Sequence, residues 1–347
     1  MTQTPAQHCE RSEAQPDAEP DARPLPMNRR LLIIQGVFSL AALAAVVWWA
    51  SNQEAPQIPT SSGSIAWLAG GLGLYALVTL MRGERWYRIL RRQDVHVKRR
   101  DAYALVTVGY AGNNILPLRA VEALRVVILS RRTDAGIRTG LGTVLAERIL
   151  DAITLGSIFL IVVLGVLRET ELPGDGNQLL YLAIGLGILA LLGVALIMMR
   201  RHHIVERARE WLRPIAGAPR ALLSRQGAGL LVFTVGLWVV EAGVYTAVAN
   251  AVSLDISLTG SMYLVVLTNL FALLPAAPGY VGTFDFAVIF GVRALGGASA
   301  VTQTYLILLR FILFVPITIV GFVLLVARYG GLAQWRTARV EAEASRA

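Results

Sequence analysis

The sequence predicts an all-α, polytopic membrane protein. It has six full helical spans, two broken re-entrant hairpins and an inverted internal repeat, with eight full spans as the alternative reading. Three observations carry this. Of 347 residues, 55% are apolar and only 16% are charged, where a soluble domain carries about 25% charged residues. Mean hydropathy is +0.57, and apolar runs recur at the length of about 20 residues that a helix needs to cross the hydrocarbon core. The basic residues, which give a net charge of +9 and a pI near 10.2, gather in particular loops. In a soluble chain such a surplus would suggest nucleic acid; here it reads as membrane topology, which leaves no place for a nucleic-acid binder or an ordinary cytosolic enzyme. Cys9 is the only cysteine, so a disulfide framework, a Cys-ligated metal or a Cys nucleophile is not expected.

Taken in order, residues 1–26 hold Pro5, Pro16, Pro20, Pro24 and Pro26 among acidic and small residues. They are expected to form a disordered cytoplasmic tail. Met27-Asn28-Arg29-Arg30 opens the first apolar run and resembles an alternative start. That run is too long for a signal-peptide core and ends in Trp48-Trp49, an interfacial anchor, so it reads as a retained span. The spans are expected at 31–50, 63–81, 140–167, 179–199, 227–252 and 299–327. Segment 102–130 is broken at Pro117, and 258–296 at Pro275, Pro278, Gly279 and Gly282. Broken backbone at membrane depth is tolerated only where protein or a wet cavity surrounds it. The membrane domain therefore covers 27–330, in halves of about 27–170 and 175–330, followed by a short cytoplasmic tail at 331–347.

Charge sets the orientation. The 82–101 loop carries Arg82, Arg85, Arg88, Arg91, Arg92, Lys98, Arg99 and Arg100, and 200–226 carries a second set of arginines. Loops 51–62 and 253–257 carry neither Lys nor Arg, and 168–178 only Arg168. Both basic loops and both termini are thus placed in the cytoplasm. Hairpin 102–130 then enters from the cytoplasmic side and 258–296 from the outer side. Each half reads span, span, broken hairpin, span, with opposite starting directions. That is the pattern of transporters whose substrate sits where interrupted helices meet.

Several groups could carry chemistry. Asn113, Asn114 and Pro117 precede a segment in which Arg119, Glu122 and Arg125 are spaced to share one helical face. A helix start beside two guanidinium groups suits a phosphate; an interfacial helix with snorkelling arginines gives the same pattern. Glu147, Arg148 and Asp151 lie within a span, where ionisable groups must be paired or face the bundle interior. They read either as a structural ion pair or as a site in which Arg148 joins Arg119 and Arg125 around an anion. The turn Pro275–Gly282, with Pro278, Gly279 and Gly282, could offer backbone N–H groups to a ligand, or serve only as a packing turn. Asp285 follows it. Glu241 and Arg310 sit near the middle of their spans, as coupling groups or as partners of each other. Gly70-Gly71-Leu72-Gly73 reads as a helix-packing patch. His202 and His203 would point apart on a helix and do not read as a metal site. The sequence carries no nucleotide, metal or cofactor motif, and no cofactor is expected.

The ordered motifs Asn114-Ile115-Leu116-Pro117-Leu118-Arg119-Ala120-Val121-Glu122-Ala123-Leu124-Arg125, Glu147-Arg148-Ile149-Leu150-Asp151 and Leu274-Pro275 to Gly282 resemble the flippase-like family related to the transmembrane region of lysylphosphatidylglycerol synthase. The resemblance covers about residues 30–330. Val121 stands where the family pattern has Gly, and Asp285 where Glu is commoner. The resemblance implies a protein that moves or handles lipids: aminoacyl phospholipids, polyprenyl-linked sugars or hopanoid-type lipids. The tail after about 328 is too short for the synthase's soluble transferase domain, so synthase activity is not implied. The expected function is lipid translocation across the bacterial inner membrane, with Arg119, Arg125 and Arg148 on an anionic or phosphate-bearing head group. The rivals are a membrane glycolipid or aminoacyl-lipid transferase, using Glu122, Glu147 or Asp151 as acid or base, and a non-transporting partner of a lipid-synthesis enzyme. The expected partners are membrane lipids.

Overall fold

The computed structural model describes residues 59–115, 120–169, 225–272 and 278–329. The expected spans at 31–50 and 179–199, both tails, Pro117, Arg119, His202 and His203 lie outside the described residues. Within them every regular element is helical. The helices are α1 (Ser62–Arg92), α2 (Arg99–Ile115), α3 (Ala120–Arg132), α4 (Ile137–Glu169), α5 (Arg225–Ala251), α6 (Leu258–Phe271), α7 (Thr283–Ala294) and α8 (Ser299–Tyr329), with a 3-10 turn at Pro278–Tyr280.

Local chemistry accounts for the helix starts. Ser61 caps α1 by accepting the Ser64 N–H at 3.1 Å, and Ser257 caps α6 by accepting the Gly260 N–H at 3.1 Å. Each cap takes up an otherwise unpaired backbone donor. Among the described residues, three helices are long and apolar enough to cross a membrane: Ser62–Arg92, Gly227–Ala251 and Val301–Tyr329. Buried hydroxyls in them bond their own helix, as Thr234 does to the Leu230 carbonyl at 2.8 Å. A hydroxyl in an apolar bundle is satisfied this way without water. Large apolar side chains such as Ile161 and Val232, each 71% exposed, fit a surface that faces lipid rather than water.

The expected end of the second span at 81 is too early. α1 continues to Arg92, so Arg82, Arg85 and Arg88 lie on the helix and not in a loop. The amphipathic spacing of Trp86, Ile89 and Leu90, all buried, keeps the helix going. Its exposed positions turn basic there, with Arg88, Arg91 and Arg92.

α1 packs along α5, and α2 packs along α8. The larger core joins Val78 of α1, Leu237 and Tyr245 of α5, Leu264 of α6, Val288 of α7 and Leu309 of α8. A second core gathers Trp86 and Leu90 of α1, Leu105 of α2, Leu129 of α3 and Tyr329 of α8. Of the glycine patch, Gly71 alone faces neighbours: a Cβ there would lie 3.4 Å from Ala247 Cβ, whereas one on Gly70 or Gly73 would meet nothing within 4 Å. The expected packing patch is thus a single close approach.

Both broken segments are pairs of short helices packed on each other, α2 with α3 and α6 with α7. The start of α2 and the end of α3 meet the same end of α8: Arg328 pairs with Asp101 at 2.6 Å, and Arg132 donates to the Arg328 carbonyl at 2.9 Å. At the far end of α2, the Asn114 amide donates to Thr318 Oγ1 at 2.9 Å and to the Phe314 carbonyl at 3.4 Å. Phe314 is near the middle of α8. The turn between α6 and α7 reaches the same level, since Arg310 donates to the Gly279 carbonyl at 3.2 Å. The two breaks therefore meet against the centre of one helix, beside Pro316.

Candidate functional site

Two adjacent turns of α1 build the first half of the site. Arg82 donates to Glu241 of α5 at 2.5 Å. Its guanidinium lies over the rings of Tyr110 on α2 (4.6 Å) and Trp238 on α5 (5.7 Å). Arg85 forms a two-pronged pair with Asp151 of α4, at 2.6 and 3.2 Å. Its Nη2 also lies 3.7 Å from Glu147. Arg125 of α3 donates to the other oxygen of Glu147 and stacks on Trp86 at 4.8 Å. Trp86 in turn donates through Nε1 to Thr143 of α4 at 3.1 Å. Arg85, Arg125 and Glu147 are each no more than 3% exposed. Arg148 stands at the margin, with its side chain 36% exposed and 3.8 Å from Asp151.

The result is a continuous run of alternating charge, Arg125–Glu147–Arg85–Asp151–Arg148, with Arg82–Glu241 one turn away on α1. Charges removed from water persist only when paired with good geometry. Here each pair joins two different helices, except Arg148 with Asp151, which lie within α4.

The second half is the Pro-Gly turn. Gly279 (φ +67°), Tyr280 (φ +55°) and Gly282 (φ +88°) all have left-handed backbone. Two are glycines and adopt it freely; Tyr280 does so at a cost. Asp285 accepts the Gly282 N–H at 2.8 Å and the Arg310 Nε–H at 2.5 Å. Arg310 also donates to the Gly279 carbonyl and lies over Phe284 and Phe314, each at 5.3 Å. A Cβ on Gly279 would lie 3.6 Å from the Asn114 carbonyl, which brings the two breaks into contact.

Several expectations change. Glu241 and Arg310 do not pair with each other: Glu241 is taken by Arg82 and Arg310 by Asp285. The turn does not leave the Gly282 N–H for a ligand, because Asp285 holds it. Arg125 and Arg148 contact different carboxylates rather than one shared centre. Glu122 lies on α3, with its side chain outside the described residues, as is the side chain of Pro278. Asn114 serves as a link to α8. Sequence reasoning missed Arg82, Arg85, Tyr110 and Trp238. The signal was present: Arg82 and Arg85 are spaced i, i+3, with Tyr75, Val78, Trp86 and Ile89 continuing one buried face through them. Their place among a cluster of arginines masked it.

The motifs and this geometry meet in the comparison with known families. Residues 33–321 match the lysylphosphatidylglycerol synthase TM region. The chain belongs to that family. Its curated relatives include glycosyltransferase AglD of Haloferax volcanii, 24% identical over 342 residues, covering 85% of this chain and 54% of the relative. The chain thus spans about half the length of that protein. A UPF0104 membrane protein of Methanothermobacter thermautotrophicus is 22% identical over 319 residues, covering 84% of this chain and 93% of the relative. The matched stretch takes in both broken segments, the ionic run from Arg125 to Arg148, the Arg82–Glu241 pair and the Arg310–Asp285 pair.

Proposed function

We propose that the protein moves an anionic, phosphate-bearing lipid across the cell membrane, with the head group handled where the two breaks meet and the tail left in the bilayer. The observation that supports this best is the ionic run from Arg125 to Arg148, buried at its centre and half open at Arg148. Intramembrane ionisable groups that face a bundle interior are the usual mark of a polar pathway. In this reading the halves 27–170 and 175–330 are inverted repeats, the broken segments are re-entrant, and both termini are cytoplasmic in a bacterial inner membrane. No ATP-binding motif is present in the sequence, so movement is downhill or coupled to an ion or partner.

The test is purified protein in proteoliposomes that carry a head-group-labelled anionic phospholipid, with an impermeant quencher reporting transfer between leaflets. Arg148→Gln, chosen because this residue is partly exposed, is expected to slow transfer at least about tenfold, equivalent to about 1.4 kcal/mol. Transfer no faster than in empty vesicles, or equal transfer by wild type and Arg148→Gln, would refute the assignment.

A second reading rests on the name of the Haloferax relative. In it the chain is a membrane transferase, with Glu147 or Asp151 as acid or base. Incubation with lipid and activated sugar donors then yields a covalent product by mass spectrometry, and Glu147→Gln removes it.

A further inference from the structure

Glu147 is held between two arginines that each retain an unused donor. Arg125 donates to one oxygen of Glu147, and Arg85 approaches the other at 3.7 Å. Arg85 spends its shorter bonds on Asp151. The Nε–H groups of Arg85 and Arg125 are buried and meet no acceptor. A buried donor without an acceptor costs about 1–3 kcal/mol. Both side chains are almost fully enclosed, so solvent does not relieve the cost.

One carboxylate has too few oxygens, in one plane, to satisfy two guanidinium forks. A phosphate ester has more oxygens, set tetrahedrally around one centre, and guanidinium edges bind it through paired N–H groups. Arg85 is balanced by Asp151, but Arg125 is paired with Glu147, and a buried guanidinium stripped of its anion is strongly unfavourable, so an anion that displaces Glu147 has to take its place beside Arg125. We propose that Glu147 is an internal stand-in for the ligand's phosphate. A phosphate ester binds by displacing the Glu147 carboxylate from between Arg85 and Arg125 and accepting both free Nε–H groups.

The elements allow the exchange. Arg125 rides on α3, within the first broken segment, while Glu147 rides on α4. A shift of α3 relative to α4 separates them. Arg85 stays in place because its bonds to Asp151 do not involve Glu147. This deepens the lipid reading above and rests on it for the source of the phosphate.

The test uses the full chain in detergent and isothermal titration with three probes: dihexanoyl phosphatidic acid, inorganic phosphate and uncharged dihexanoylglycerol. Glu147→Gln is expected to bind phosphatidic acid at least about tenfold tighter than wild type, equivalent to about 1.4 kcal/mol. The Glu147→Gln/Arg125→Gln double variant loses that gain, and dihexanoylglycerol shows none. A gain for inorganic phosphate as well marks a site for the phosphate group itself; a gain for phosphatidic acid alone marks a lipid site; both support the proposal. Equal affinity of wild type and Glu147→Gln for both phosphates overturns it, as does a gain that survives loss of Arg125 or extends to dihexanoylglycerol. Where Glu147→Gln does not fold, Glu147→Asp retracts the carboxylate by one methylene. It is then expected to give a smaller gain, and equal affinity again overturns the proposal. Lipid transfer is read separately. A binding gain without transfer by wild type keeps the phosphate site and removes the transport reading, and transfer without a binding gain does the reverse.

Discussion

Arg82 shows how a single charge is kept inside an apolar bundle. Among the described residues it has one carboxylate partner, Glu241, and two aromatic faces, those of Tyr110 and Trp238. The aromatic faces attract a cation but do not neutralise it. Glu241→Gln therefore leaves a nearly uncompensated guanidinium, and breaking a buried pair in this way costs about 3–5 kcal/mol. Unfolding of the variant in mixed detergent should show a loss of that size. Arg82→Met combined with Glu241→Leu should lose much less, because no charge is then stranded. A Glu241→Gln protein within about 0.5 kcal/mol of wild type would mean that the pair is dispensable. The Arg310 clasp follows the same logic for a different end: its guanidinium and Asp285 together hold a turn in which Tyr280 has strained backbone.

At the scale of elements, α2 and α8 approach closely at Gly321. A Cβ on Gly321 would fall 2.4 Å from Ala111 Cβ and 2.8 Å from the Thr107 carbonyl oxygen. The second obstacle is backbone, so Gly321→Ala must push the helices apart, at a cost of about 1–3 kcal/mol. Gly70→Ala, where a Cβ meets nothing within 4 Å, is the control and should be neutral or slightly stabilising. Thermal midpoints of the two variants, measured side by side, decide this. The two broken segments were legible in the sequence, because Pro117 and the cluster Pro275, Pro278, Gly279 and Gly282 interrupt apolar runs too long for one clean helix. The role of Asp285 was only half legible: its position after the turn was visible, but its double duty as cap and partner to Arg310 depends on a contact across residues distant in sequence. Arg82 and Arg85 were not recognised, because hydropathy records a run of arginines as loop. Only the buried face that continues through Trp86 and Ile89 shows that the helix goes on.

For the whole molecule, the ends of the elements make a claim about sidedness. Asp94 and Asp134 are exposed at the two ends of the first broken segment, and Asp255 and Ala298 at the two ends of the second. With Cys9→Ser as background, an impermeant maleimide applied to intact cells should label Thr60→Cys, Asp255→Cys and Ala298→Cys. Asp94→Cys and Asp134→Cys should react only after permeabilisation. Labelling of Asp94→Cys and Asp134→Cys from opposite faces would make the first segment a full crossing and favour eight spans. The contacts of Asp101 and Arg132 with the end of α8 argue for the same face.

The meeting of both breaks on the middle of α8 has a mechanical corollary. Asn114 grips Phe314 and Thr318, while the Gly279 turn is tethered through Arg310 just over one helical turn away. Neither broken segment can be withdrawn without tugging the shared strut between them, and Pro316, which lacks an N–H for the helix ladder, lies between the two residues that Asn114 holds. α8 is thus a common fulcrum: when one doorway yields, the other feels the load.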